Sequence, residues 1–330
     1  MNDRSYRRLI LDPGFGWMLV TQFLGAFNDN LYRFIVTFLA IAMARSQPAG
    51  FDANTYLSII AALFVLPYLL FSGYAGQLAD RFPKRSVLIA TKSLEIFAMA
   101  IGFVAFLRND LNLMMGVMFL MALQSTFFSP AKYASLPELL PDRDLSRGNA
   151  LIEMSTFLAI ILGTWAGGQL FEDLGDQPVA LGSIVMVIAV IGFASSFGIG
   201  RTPAPSARAP FSWNPLAGID KGLAELIGNR RLFLTVLGIS WFWFLGALLQ
   251  ISIPLYGREV LALDSGDTGL LWAAVAIGIG VGSIAAGRLS GHKVELGLVP
   301  IGSVGMGLCA MLLVTADSFR GAVICLGALG

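Results

Sequence analysis

The chain has 330 residues, of which 56% are hydrophobic and only 13% charged, with a mean hydropathy of +0.74. A soluble domain carries about 25% charged residues, and here the apolar residues fall in long runs, which excludes an ordinary soluble enzyme, a disordered chain and a nucleic-acid binder. The net charge of +1 supplies no global field that would select an anionic partner, so the composition is that of an integral membrane protein.

A bilayer core about 30 Å thick needs roughly 20 apolar residues in a helix. Runs of that kind cover 15–44, 55–78, 87–107, 111–131, 147–171 and 178–199, and they resume at 232–256, 268–287 and 297–315. A last run begins near Ala322 and is too short to span. The expectation is therefore nine complete helices and the start of a tenth, as in a piece of a longer plan. The first run is not a signal peptide, because it is long and carries Asn28, Asp29, Asn30 and Arg33 in its middle. No run alternates with a period of two, which excludes a transmembrane barrel.

With a cytoplasmic N-terminus, only Arg45, Arg108, Arg258 and Arg320 of the 22 basic residues fall on the outer side. Arg33 and Lys92 lie within helices, and the remainder cluster inside, as the positive-inside rule requires. The longest connection, about 200–231, opens with the proline-rich stretch Arg201–Pro210, which cannot be helical. Residues 216–230 then have the pattern of a short amphipathic helix, with Leu216, Ile219, Leu223, Leu226 and Ile227 on one face. These features divide the chain into an N-terminal six-helix bundle (1–200), a cytoplasmic linker (201–231) and a C-terminal bundle (232–330) that stops in its tenth-helix region.

Several polar residues interrupt the apolar runs. Gln22, Ala26, Asp29 and Arg33 share one helical stripe, and Asp29 lies near mid-membrane, where a lone charge is costly. Asp29 and Arg33 have i,i+4 spacing and can pair; alternatively, Asp29, Asn28 and Asn30 are ligands for a headgroup amine or a coupling cation. Lys92 and Glu95 have i,i+3 spacing, which suits a local salt bridge. Glu153 has no partner nearby in sequence and is the better candidate for a functional acid. Gln124, Ser125, Phe127 and Phe128 could line a cavity or simply pack, and Lys132 could meet a phosphate or snorkel to the interface. Gly163, Gly167 and Gly168 read as a close-packing surface.

Chemistry of the enzymatic kind is hard to find. The single histidine, His292, lacks an Asp five residues on, there is no Walker loop, and Cys309 and Cys325 match no metal or redox spacing. No catalytic residue, metal site or cofactor is expected.

A decapeptide, Gly76-Gln77-Leu78-Ala79-Asp80-Arg81-Phe82-Pro83-Lys84-Arg85, follows the second run, and its opening G-x-L-[AS] recurs at Gly287 after the eighth. This G-x-L-A-D-R-x-x-K-R loop resembles the signature loop of the major facilitator superfamily. The resemblance implies a conformational lock in which Gly76 permits close helix approach, Asp80 is the pairing carboxylate, and Arg81, Lys84 and Arg85 supply the cations. Pro83 replaces the glycine common at its position, and the second copy has Gly291 in place of Asp80.

Further blocks, Thr21–Asn30, Phe128–Tyr133, Gly148–Glu153, Gly163–Gly168 and Leu289–Pro300, together resemble the lysophospholipid transporter family. What the two resemblances imply is an all-α polytopic membrane protein with the major facilitator fold, an N-terminal six-helix bundle plus an incomplete C-terminal one. The implied function is a secondary transporter that moves or flips lysophospholipids across the bacterial inner membrane by alternating access. In some relatives the transporter is fused to an acyltransferase and an acyl-acyl-carrier-protein ligase, so such a partner is implied as well. The other readings of the same runs are a drug or sugar transporter of this superfamily, and a membrane anchor for a lipid-acylating enzyme.

Overall fold

The computed structural model describes residues 3–46, 52–203, 212, 214, 219–263, 265–290 and 297–330. Among them there is no strand. The helices are α1 (Asp3–Ile10), α2 (Pro13–Ser46), α3 (Ala53–Arg81), α4 (Lys84–Arg108), α5 (Leu111–Leu139), α6 (Leu145–Leu174), α7 (Pro178–Ser196), α8 (Ile219–Gly228), α9 (Arg230–Leu255), α10 (Ser265–Ser290), α11 (Leu298–Val314) and α12 (Phe319–Leu329). Two compact units result, Met1–Phe211 and Ser212–Gly330.

Seven helices among the described residues are long and apolar enough to cross a membrane. The remaining two complete runs differ for identifiable reasons. Helix α2 has 34 residues, about 50 Å at 1.5 Å per residue, but the polar segment Asn28–Asn30 and Arg33 interrupt its apolar character. Helix α11 is apolar and only 17 residues long. The linker helix spans Ile219–Gly228, and Leu223 and Ile227 on it are exposed; Leu216 lies outside the described residues, as do Gly291, His292 and Lys293 of the second loop copy.

Short turns fix the helix order in the first unit. Asp52 caps α3 by accepting from the Thr55 N–H at 3.2 Å, and Asp110 caps α5 by accepting from the Leu113 N–H at 3.1 Å. Between α4 and α5 the chain reverses through Asn109, which has the left-handed φ of 49° that an Asn tolerates. Helices α2 and α6 touch backbone to backbone: a Cβ at Gly163 would lie 2.5 Å from the Phe27 carbonyl oxygen, and one at Gly167 would lie 2.9 Å from that of Leu31. Gly168 faces only the Phe38 ring, at an ordinary 3.7 Å.

The interior of this unit is layered along the helix axes. One apolar cluster takes Leu31–Ala40 of α2, Ala98–Phe106 of α4, Leu111–Met121 of α5 and Leu181–Ala189 of α7. A second takes Phe15 and Met18, then Ala79, Val87 and Leu88, then Ala131 and Leu136, then Leu151 and Ile152. Between the two layers α2, α4, α5 and α7 turn polar. Thr21, Gln22, Asn28 and Asn30 of α2, Thr91, Lys92 and Glu95 of α4, Gln124 and Thr126 of α5, and Ser195 and Ser196 of α7 are all buried.

The second unit has its own smaller core of Ile253, Leu271, Ala274, Val275, Ala322 and Leu326. Helix α10 meets α12 closely enough that a Cβ at Gly278 would lie 2.1 Å from the Gly327 carbonyl oxygen. Helix α9 has Leu234, Leu237, Trp241 and Trp243 exposed.

Candidate functional site

The polar belt of the first unit resolves into two groups of side chains. The deeper group is centred on Glu95, which is fully buried. Its Oε2 receives the Lys92 ammonium in an ion pair within α4 and accepts from Gln124 Nε2 at 3.3 Å, while its Oε1 accepts from Asn28 Nδ2 at 3.3 Å. Lys92 in turn lies 6.0 Å from the Phe128 ring centroid. Beside this group, the Ser125 hydroxyl reaches both Asp29 Oδ2 and Gln124 Oε1, the latter at 2.9 Å. Asn28 Oδ1 and Asp29 Oδ1 are buried without a hydrogen-bond partner.

Asp29 and Arg33 do not form the ion pair that their spacing allows. The two side chains are drawn to different neighbours: Asp29 to Ser125 on α5, and Arg33 to Asn30 Oδ1 at 2.9 Å. The Arg33 guanidinium also stacks at 4.9 Å over Phe64 of α3 and 5.3 Å over Phe34. Asn30 completes this local chain by donating to the Ala26 carbonyl at 2.7 Å.

The second group lies two turns along α2, where Gln22 faces α5 and α6. Gln22 Nε2 donates to Ser155 Oγ at 2.7 Å, and its Oε1 accepts from Thr156 Oγ1 at 3.1 Å. Lys132 Nζ is 3.5 Å from the same oxygen, at the outer limit of a hydrogen bond, and 4.6 Å from the Tyr133 ring centroid. At 7% exposure Lys132 is not snorkelling to the interface, and it makes no ion pair with a described carboxylate. Glu153 does have a partner, the Tyr133 hydroxyl at 2.7 Å, supplied from α5 rather than from its own helix.

Two functional features follow from this geometry. Four charged side chains of the belt, Asp29, Arg33, Lys132 and Glu153, are buried or half-buried and make no ion pair among the described residues. Of these, Asp29 keeps a carboxylate oxygen with no hydrogen-bond partner, and Lys132 has only a long contact to Gln22, which makes these two the groups best placed to meet a charged ligand. In the same unit, Leu78, Phe82, Val87, Ala90, Leu94 and Phe127, with Ser86 and Thr91, line a mainly apolar groove of about 480 Å³. Tyr133, Ser155 and Thr156 were not identifiable from sequence, because each acquires its role only by meeting another helix.

The loop between α3 and α4 departs from the expected lock. A Cβ at Gly76 would meet nothing within 4 Å; the buried contacts of this stretch of α3 are made by Ala75 and Ala79, on a different face. Asp80 is exposed and makes no ion pair among the described residues, since Ala79 beside it takes the inward direction. The carboxylate that meets the basic cluster is Glu138 at the end of α5, 3.0 Å from Lys84 Nζ. The Arg85 backbone N–H donates to Thr202 Oγ1 at 3.0 Å and its guanidinium to the Phe197 carbonyl at 2.6 Å, tying α4 to the end of α7. Arg81 is the last residue of α3 and is half-buried.

Comparison with known proteins agrees with this architecture. The model of the Major Facilitator Superfamily matches residues 18–330. The lysophospholipid transporter LplT of Photorhabdus laumondii subsp. laumondii is 30% identical over 310 residues, covering 92% of this chain and 72% of that protein. LplT of Enterobacter sp. is 33% identical over 285 residues, 83% of this chain and 66% of that protein. Among solved structures, the human organic anion transporter MFSD10 matches with a TM-score of 0.72 at 15% identity, covering 98% of this chain and 84% of that one. The E. coli fucose:proton symporter FucP matches with a TM-score of 0.68 at 17% identity, covering 96% and 80%. At such identities these two show the fold alone. The chain is an integral membrane protein that belongs to the major facilitator superfamily and, within it, to the lysophospholipid transporter family.

Proposed function

We propose that this protein moves lysophospholipids across the bacterial inner membrane by alternating access, with its N-terminus cytoplasmic. The observation that carries the reading is the presence of unlike surfaces in one unit: a belt in which the Asp29 carboxylate and the Lys132 ammonium make no ion pair, and an apolar groove. An amphipathic lipid with one chain has both kinds of surface, and its zwitterionic headgroup has both charges. Asp29, with Asn28 and Asn30, is the proposed station for the headgroup amine, or for a coupling cation in a cation-driven cycle. Lys132, held by Gln22 and with Glu153 beyond Tyr133, is the proposed station for the phosphate.

The two stations are separated by about two helical turns, roughly 10 Å, on both α2 and α5. A headgroup can therefore pass from one to the other during translocation. Gln124 and Arg33 flank the Asp29 station. Gly76, Asp80, Arg81, Lys84 and Arg85 are the proposed conformational lock, with Glu138 as its acid in the state described here. Residues 201–231 are the proposed linker between the bundles. An acyltransferase with its ligase, separate or fused, is the proposed consumer of the delivered lipid.

The test is a translocation assay in proteoliposomes with lysophosphatidylethanolamine, a sugar and a cationic drug as parallel substrates. Saturable movement of the lipid alone is the expected result. Movement of the sugar or drug without the lipid would make this a different transporter of the superfamily, and movement of none of them would leave a membrane anchor as the better reading.

A further inference from the structure

Glu95 has a geometric role that a simple buried ion pair does not require. A carboxylate accepts hydrogen bonds and donates none, whereas an Asn or Gln amide donates from one end and accepts at the other. Glu95 takes the nitrogen ends of both Asn28 and Gln124, one on each oxygen. Both carbonyl ends are thereby turned away from it. For Gln124 that end meets Ser125, and for Asn28 it is left buried and unpartnered, next in sequence to the equally unpartnered Asp29 Oδ1. Paired with the Lys92 ammonium, Glu95 serves as an acceptor on both sides.

Ser125 carries a single hydroxyl proton, and its acceptors include both Asp29 Oδ2 and Gln124 Oε1. It can satisfy only one of them at a time. When a cation occupies Asp29, the serine proton can swing to Gln124 without leaving the hydroxyl unbonded. Tyr68 of α3 is a further hydrogen-bonding neighbour of Ser125. The swing along α5 requires that Gln124 present oxygen rather than nitrogen to Ser125, and Glu95 fixes that orientation.

Resting on the transport reading above, we infer that Glu95, with Lys92 as its counter-ion, is a positioning residue for the Asp29 station. It acts through Gln124 and a two-position Ser125 hydroxyl that answers the filling and emptying of Asp29. The chain Lys92–Glu95–Gln124–Ser125–Asp29 crosses from α4 through α5 to α2, so it couples the ligand-facing carboxylate to a helix that does not carry it.

The test uses the full chain in proteoliposomes, with lysophosphatidylethanolamine as the probe and both KM and melting temperature as readouts. Lys92→Met combined with Glu95→Leu replaces the pair by apolar groups, a change that is often neutral or stabilising. Because Asn28 and Gln124 then lose their shared acceptor, the expected result is a variant that folds with a lowered melting temperature, and with KM raised about tenfold, the scale of a lost buried hydrogen bond. A folded double variant with wild-type KM overturns the inference. A second route needs no change to the ion pair: Ser125→Ala and Gln124→Met are compared singly and together. Because both break one chain, the combination should raise KM no further than the worse single variant, and additive losses overturn the inference. Absence of saturable uptake by the wild type would overturn the substrate reading itself, and this inference with it.

Discussion

Gly25 of α2 and Gly192 of α7 make room for the same atom, the Lys92 ammonium nitrogen. A Cβ at Gly25 would lie 2.9 Å from it and one at Gly192 would lie 3.0 Å away. Lys92 is 1% exposed and has no open space into which to retreat. The two glycines thus permit a charged side chain to cross the junction of three helices and meet Glu95.

Enlarging either glycine tests this confinement. Gly25→Val or Gly192→Val should destabilise the protein by about 1–3 kcal/mol, the usual cost of overpacking an interior. Thermal unfolding in detergent reads the effect as a lowered melting temperature. An unchanged melting temperature in both variants would mean that Lys92 has room to move.

Two of the glycines singled out in the sequence, Gly163 and Gly76, should separate sharply on substitution by alanine. At Gly163 the new methyl would press on the Phe27 carbonyl oxygen at 2.5 Å, forcing α2 and α6 apart. At Gly76 it would touch nothing within 4 Å and should be neutral or slightly stabilising, since alanine is the better helix former. Melting temperatures of the two single variants check this; equal effects would contradict the α2–α6 contact.

For the loop, Glu138→Gln should slow transport by removing the acid that holds Lys84. Exchange of the charges, Lys84→Glu with Glu138→Lys, should recover much of the lost rate. Asp80 makes no ion pair in the state described here, so Asp80→Asn should leave stability unchanged and lower the transport rate through another state of the cycle. The measurements are initial translocation rates alongside melting temperatures. Wild-type rates in both Glu138→Gln and Asp80→Asn would reduce the loop to a topology signal.

The helices were legible in the sequence because apolar runs of membrane length have few other solutions. The polar residues of the belt were legible as anomalies within those runs, and Lys92–Glu95 as a pair, because i,i+3 spacing acts within a single helix. The partners of Asp29 and Gln22 were not. Ser125 is 96 residues from Asp29, and Ser155 is 133 residues from Gln22, so no spacing rule connects them. The same limit explains the Asp29–Arg33 pair that does not form. Helical spacing shows which residues can meet within α2, but Ser125 on α5 and Phe64 on α3 decide which way each side chain turns. Glu138 was missed for the same reason: it reaches Lys84 only because α5 returns to the end of the membrane where α4 begins.

Asp29→Asn is the most direct measurement of the central claim. Arg33 makes no direct ion pair with Asp29 and is held in place by Asn30 and two aromatic rings, so neutralising the acid breaks no contact of Arg33, although it removes a neighbouring opposite charge. Asn at this position keeps the shape and an oxygen for Ser125. The account predicts a variant that inserts and melts like the wild type, yet fails to translocate lysophosphatidylethanolamine in proteoliposomes, and that is not rescued by adding Arg33→Gln. Lipid movement at the wild-type rate in Asp29→Asn would contradict it.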